Sequence, residues 1–287
     1  MKKILLATDF SERSDRALRR ATLLARQFGA SLALINVVDD DQPRRIVEAE
    51  QDEAAKLLRQ MAATLRDVDG VACETRVILA SPFAGVAMAV ADLAPDLLVI
   101  GPHRRQILRD VFIGTTAERT IRLVHCPVLM VNAAPAGPYR HVLQTTDLSE
   151  ASRDALRRLA ALEIAGAARS TLLHVFDAPA LRLAFSHAMP KDGQEVYLAD
   201  ETRQAALALA GFVSASGLGD VRQIVRHKVT AAQHEILKAA EEEAADLIVL
   251  STHGRTGLTK LLIGSVTEHV LRASTVDILA IPPMGDA

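Results

Sequence analysis

The chain has no tryptophan and few aromatics of any kind: 3% of its 287 residues are Phe, Tyr or Trp. Base-stacking platforms of the kind that hold single-stranded nucleic acid are therefore not expected. It also lacks a surplus of charge of one sign. Thirty-three Lys and Arg meet 35 Asp and Glu, for a net charge of −2, which gives no electrostatic drive toward nucleic acid or an anionic membrane. Long apolar runs are missing too, and nothing approaches the roughly 20 residues of a membrane span. The opening MKKILLATDF begins like a secretory signal, but its apolar run stops at Thr8 and Asp9, short of an h-region. Cysteine is scarce. Cys73 and Cys126 fall in separate predicted strands and neither belongs to a CxxC, so no zinc or redox motif is expected. The expectation is a cytoplasmic, reduced protein with no nucleic-acid or membrane partner. What the chain does hold is apolar residue, 49% of the total, enough for packed cores in about two domains of roughly 100–200 residues each.

Two segments read alike. KKILLATDFSERSDRALRRATLLA opens the first half and RHVLQTTDLSEASRDALRRLAALE the second. Asp9 and Asp147, Ser11 and Ser149, and Leu18 and Leu156 stand 138 positions apart. Farther on, APDLLVIGPHR matches AADLIVLSTHG, and Asp96 and Asp246, His103 and His253, and Gly114 and Gly264 stand 150 apart. Two constant offsets mark an internal duplication, with 12 extra residues entering the second copy between Val175 and Asp246. The seam is AAPAGP at residues 133–138, a linker composition, which gives domains over 1–133 and 139–287.

Strand and helix signals alternate within each copy. In the first, ILLAT, SLALINVV, VACETRVIL, DLLVIG and PVLMV are apolar or alternating runs that predict strands. Between them, residues 13–28, 43–65, 83–93 and 114–123 predict helices. Ala17, Leu18, Ala21, Leu24 and Ala25 give the first helix its amphipathic spacing, and Gly29 stops it. The second copy repeats the order and ends in DILAI. Strands alternating with helices argue for a parallel sheet covered on both faces, doubly wound by right-handed crossovers.

In such sheets a ligand sits beyond the strand C-termini, where strand order reverses. Three features of each copy fall there. One is the Asp directly after strand one, Asp9 or Asp147. Another is the end of strand two, Val37 or Val175. The third is the loop after strand four, which in the second copy runs Ser251, Thr252, His253, Gly254, nine more residues, then Gly264 and Ser265. Glycines let backbone N–H groups approach an anion closely. Gly264-Ser265 opens a helix, whose first N–H groups are unsatisfied and whose dipole favours negative charge. Gly and Ser are equally ordinary capping residues, and either Asp147 or Ser149 would cap the helix after strand one.

Taken together, LLATDFSE, LLHVFD, DLIVLSTHGRTG, LLIGSVTEHVL and HCPVLMV resemble the universal stress protein family, over nearly the whole chain and twice. That family carries Gly-x-x-Gly, nine residues, then Gly-Ser or Gly-Thr after its fourth strand. Its nucleotide-binding members carry an Asp after strand one and a Val at the end of strand two, which contact adenine. The resemblance implies an adenine-nucleotide-hydrolase-like α/β fold: two tandem doubly wound five-stranded parallel-sheet domains of strand order 3-2-1-4-5. It implies a stress-linked regulatory role and an adenine nucleotide, ATP first, with or without Mg²⁺. The ligand would lie on Asp147, Val175, Ser251, His253, Gly254, Gly264 and Ser265. Domains of the family pair through their last strand, so PVLMV and DILAI would pair inside one chain as a pseudo-dimer; a homodimer of whole chains stays open.

The two copies depart from the pattern unequally. In the second, Ser251 replaces the first glycine of the loop. In the first, Gly101, Gly114 and Thr115 match, but Arg104 stands at the second glycine, where its fork can hold a phosphate or its bulk fill the pocket. The second copy is therefore the expected nucleotide site. Asp9, Val37, Gly101, Arg104, Gly114 and Thr115 make a second or degenerate one. No metal site is expected, since His125-Cys126 reads as packing. No catalytic residue is expected either, because GxxxxGK[ST] and GxSxG are absent. The related hydrolases have a glycine-bearing phosphate loop after strand one, where this chain has TDFSERS and TTDLSEAS. A slow ATPase and an interaction protein with decayed sites are the alternatives. Residues 178–200, with Leu181, Leu183, Phe185 and Met189, hold much of the extra length as a lid, a partner surface or a loop.

Overall fold

The computed structural model describes residues 1–102, 116–182, 190–252 and 263–282. The first half runs β1 (Lys3–Ala7), α1 (Glu12–Phe28), β2 (Ser31–Val38), α2 (Arg44–Asp67), β3 (Cys73–Leu79), α3 (Pro82–Leu93), β4 (Leu97–Ile100), α4 (Thr116–Leu123) and β5 (Val128–Met130). The second runs β6 (His141–Thr146), α5 (Glu150–Leu162), β7 (Arg169–Phe176), the short α6 (Pro179–Arg182), α7 (Lys191–Ser216), β8 (Arg222–His227), α8 (Ala232–Glu242), β9 (Leu247–Ser251), α9 (Ser265–Ala273) and β10 (Asp277–Ile281). The extra length of the second copy enters chiefly between β7 and α7, at residues 177–190, where the first copy has only residues 39–43. Cys126 lies in the turn before β5, not in a strand as its neighbours suggest, and is buried.

The ten strands of the described residues belong to one sheet, in the order β3-β2-β1-β4-β5-β10-β9-β6-β7-β8. Within each half this is the expected 3-2-1-4-5, and every pairing inside a half is parallel. The halves join where β5 and β10 pair antiparallel, with Leu129 opposite Leu279, Met130 opposite Ile278 and Val128 opposite Ala280. Leu129 and Leu279 are the same position of the repeat, 150 apart. The halves are thus related by an approximate two-fold through that pair, the isologous geometry of a symmetric dimer built inside one chain. Side-chain alternation sends Leu129, Val131, Leu279 and Ile281 into one core and Val128, Met130, Ile278 and Ala280 into the other, and both cores run through both halves. α1, α2 and α5 cover the first face, while α3, α4, α8 and α9 cover the second.

Polar groups reinforce the seam on each face. Glu118 and Glu268 correspond in the repeat, as do Arg122 and Arg272. Arg272 forks onto the buried Glu118 carboxylate, Nε to Oε1 at 2.6 Å and Nη2 to Oε2 at 3.0 Å. Arg122 lies 3.6 Å from Glu268, so α4 and α9 clamp each other reciprocally. On the other face Asp277 is fully buried at the start of β10. It accepts from the N–H groups of Asn132 (2.9 Å) and Ala133 (3.0 Å), from Tyr139 Oη (2.7 Å) and from Arg20 Nε (3.3 Å). Burial pushes its carboxyl above the usual range, against these donors. The cluster ties α1, the linker and β10 together. Among the described residues no helix is long and apolar enough to cross a membrane.

Candidate functional site

A parallel sheet puts every strand's C-terminus, and the start of the helix that follows it, on one edge. In the second half β6, β7 and β9 end there, and α5, α8 and α9 begin beside them. A cavity of about 260 Å³ opens at this edge, bordered by Asp147, Val175, Ser251, Gly264 and Ser265. Five residues named from the sequence are thereby brought together. His253 and Gly254 lie outside the described residues, as do Arg104, Gly114 and Thr115 of the first copy.

Ser149, not Asp147, caps α5: its side chain accepts from Ser152 N at 3.2 Å. Asp147 braces that cap, its Oδ1 accepting from Ser149 N (3.0 Å) and Ser149 Oγ (2.5 Å). Asp9 holds Ser11 in the same way, at 3.0 and 2.5 Å. One residue earlier, Thr146 Oγ1 accepts from Leu148 N (2.9 Å) and Thr8 Oγ1 from Phe10 N (3.0 Å). These bonds hold Leu148 at φ 65° and Phe10 at φ 58°, left-handed angles that cost of order 1–3 kcal/mol at a bulky residue. Sequence reasoning missed this strained turn, whose trace is the repeated Thr-Asp-apolar-Ser. Behind it, His174 Nδ1 and Asn36 Nδ2, equivalent in the repeat, each donate at 2.9 Å to the carbonyl of Thr146 or Thr8. They fasten the end of strand two to the end of strand one.

Gly264 sits before α9 at φ −59° and ψ 142°, and a Cβ there would meet only Thr252 O at 3.9 Å. Neither backbone angle nor packing within the described residues calls for glycine. Its N–H donates to Thr252 O at 3.0 Å, and it gives α9 no side-chain cap, which leaves leading N–H groups of that helix for solvent or a ligand.

The first copy has a cavity of about 430 Å³ at the matching edge, bordered by Asp9, Val37, Gly101 and Arg13. Here a side chain would be crowded: a Cβ on Gly101 would fall 3.0 Å from Arg13 O and 3.2 Å from Ser14 N. Asp9 is also more heavily engaged than Ser11 alone would make it. Ser14 Oγ adds a 2.5 Å bond and Arg13 Nη2 lies 3.6 Å away. Burial pushes the Asp9 carboxyl up, but the hydroxyls of Ser11 and Ser14 and the Arg13 charge together hold it below its ordinary value. In the second copy Ala151 takes the place of Arg13, and Ser152 Oγ bonds Thr146 Oγ1 (2.8 Å) and Ser149 O (2.9 Å) instead.

The sequence profile of the universal stress protein family matches residues 1–132 and again residues 138–282. This chain belongs to the universal stress protein family. Two relatives of this universal stress protein align end to end with it. A universal stress protein of Mycolicibacterium smegmatis is 25% identical over 305 residues, covering 98% of this chain and 97% of its own. Universal stress protein E of Escherichia coli is 24% identical over 298 residues, covering 98% and 93%. Universal stress protein MJ0577 of Methanocaldococcus jannaschii is 29% identical over 156 residues, 50% of this chain and 94% of its own. Among solved structures, a universal stress protein from Archaeoglobus fulgidus matches with a TM-score of 0.71 at 17% identity, covering 99% of this chain and 98% of its own. That likeness carries the fold of the tandem universal stress protein.

Proposed function

We propose that this tandem universal stress protein is a cytoplasmic stress-response regulator that binds an adenine nucleotide, ATP first, in its second unit (139–287), the first unit being 1–133. Asp147 and the backbone near Val175 hold the base. Gly254, Gly264 and Ser265 hold the phosphates, with any Mg²⁺ riding on them, and Ser251 and His253 flank the loop. The observation that carries this reading is Gly264, a glycine that neither its backbone angles nor its packing among the described residues requires. A ligand that must reach the helix N–H groups does require it. The test is calorimetric titration of the full chain with ATP, ADP and AMP. Binding by the wild type and its loss in Gly264→Val, with folding retained, is the expected outcome. No binding of any of the three at millimolar ligand rejects the proposal and favours an interaction protein with decayed sites. Measured turnover of ATP would identify a slow ATPase instead.

A further inference from the structure

The cavities at the matching sheet edges of the two halves have different walls. Ala7, Val86, Gly101 and Ala117 border the first where the second has the larger Thr145, Ile236, Ser251 and Thr267. The first is accordingly the roomier, about 430 Å³ against about 260 Å³. The polar groups differ as well. In the second cavity Thr145 Oγ1 donates to Val249 O (3.0 Å) and Thr267 Oγ1 to Ser251 O (2.9 Å), so both hydroxyls are engaged by backbone carbonyls. In the first, Thr116 and Thr120 of α4 stand where α9 has Val266 and Val270, and neither hydroxyl has a partner among the described residues. Thr120 is 2% exposed, and Val270 fills the equivalent place fully buried. A buried hydroxyl without a partner costs stability that a valine of the same shape does not. Asn36, also buried, gives its Nδ2 to Thr8 O, and its Oδ1 accepts from no described residue. Asp9 Oδ2 and Arg13 Nη2 stand 3.6 Å apart in the same wall, too far for a hydrogen bond, and neither atom makes one elsewhere among the described residues.

We propose that the cavity of the first half binds a neutral sugar. Two neighbouring hydroxyls can donate to a carboxylate oxygen and accept from a guanidinium, and Asp9 Oδ2 and Arg13 present that acceptor and that donor side by side. The two charges offset each other, so the wall favours neither an anion nor a cation. Thr120 Oγ1 can donate or accept, and Asn36 Oδ1 accepts. Hydroxyls match both, whereas an apolar guest leaves both unmatched. These groups come from three directions: Asp9 and Arg13 from the turn after β1 and from α1, Asn36 from β2, Thr116 and Thr120 from α4. A sugar carries hydroxyls all round its ring, whereas a nucleoside carries its diol at one end. Val37, Val86 and Ile100 take the C–H faces. The volume lies within the range of about 300–1,000 Å³ usual for small-molecule sites. Ala151 and Val270 replace Arg13 and Thr120 in the second half, which confines the sugar to the first. The proposal uses no residue of the nucleotide site and stands without it.

The test is calorimetric titration of the full chain with D-glucose and with D-ribose, and with tetrahydropyran-2-methanol, a ring with a single hydroxyl, as comparison. At least one sugar should bind, and the comparison should bind about tenfold more weakly or worse. Arg13→Ala and Thr120→Val install the second half's own residues, and each should weaken the sugar about tenfold. Without ligand, Thr120→Val should melt at or above the wild-type temperature, because it removes an unmatched hydroxyl; a fall would show the hydroxyl already satisfied and overturn its role. Gly264→Val, in the nucleotide site, should leave the sugar bound as before, so the two sites succeed or fail separately. Absence of heat with both sugars at millimolar concentration overturns the proposal. Sugar binding undiminished in folded Arg13→Ala and Thr120→Val overturns the location, and displacement of the sugar by adenosine in Gly264→Val assigns the diol to a nucleoside and overturns the free sugar.

Discussion

Glycine at residue 264 and glycine at residue 101 answer to different demands, and substitution separates them. Gly264→Ala adds a methyl group that clears its neighbours among the described residues, so its melting temperature should match wild type while nucleotide affinity falls. Gly101→Ala drives a Cβ against the backbone of Arg13 and should cost about 1–3 kcal/mol of stability, read by urea denaturation. Asp9 gives a prediction in pH. Its carboxyl lies below the ordinary 3.8, so the stability it contributes is complete above that value and is lost as pH falls through its lowered value. Wild type should therefore be more stable than Asp9→Asn at neutral pH, and the gap should close as pH falls below the ordinary 3.8 and through the lowered value. A gap that persists unchanged into acid would show that the hydroxyl bonds do not favour the charged form. The Asp itself was legible from its place after strand one. The left-handed Phe10 and Leu148 beside it were not, because intrinsic preference places bulky apolar residues anywhere else. The paired Thr and Asp side-chain bonds, with the packing of Phe10 and Leu148 against the cores, overrule that preference.

The alternation of strands and helices was legible element by element from the two constant offsets and the apolar runs. The strand order and the pairing of β5 with β10 were implied by the resemblance to the family. Helix ends drifted by a residue or two, as with α2, which extends to Asp67 where the apolar pattern ends at Leu65. The clamp between α4 and α9 was not legible. Periodicity tells which face of a helix is covered but not which charge waits on the facing helix, and Glu118 reads in sequence as one more surface carboxylate. Its burial makes the clamp directional. Arg272→Ala takes two charged hydrogen bonds from a buried carboxylate and should cost about 2–3 kcal/mol. Glu118→Gln leaves a half-exposed Arg272 that still reaches Glu268 at 2.6 Å and should cost less. Urea denaturation of the two variants would compare them, and the reverse ranking would count against the burial argument.

A single sheet with two cores that cross the seam between the halves predicts how the whole chain comes apart. The halves share antiparallel strands, the α4–α9 clamp and the buried Asp277 cluster, so they should unfold together. Scanning calorimetry should give one transition whose van't Hoff and calorimetric enthalpies agree; two resolved transitions would mean the seam is too weak to couple them. The duplication made this architecture readable from sequence. The functional asymmetry was only half readable, because residues such as Thr120 and Val270 carry no motif and acquire meaning only when the two-fold sets them side by side.

That two-fold has a genetic consequence. In a dimer of identical chains one codon writes the same side chain on both sides of the axis, so a ring that plugs one notch plugs its twin. Here the equivalent positions around Arg20 and Arg158 are encoded separately, Tyr139 answering to Met1 and Asp277 to Pro127. Mutation could settle Tyr139 and Asp277 into a fixed brace on one side while the other side varied freely. The fused chain can hold different side chains at the two equivalent places at the same time, a combination that no symmetric pair can encode.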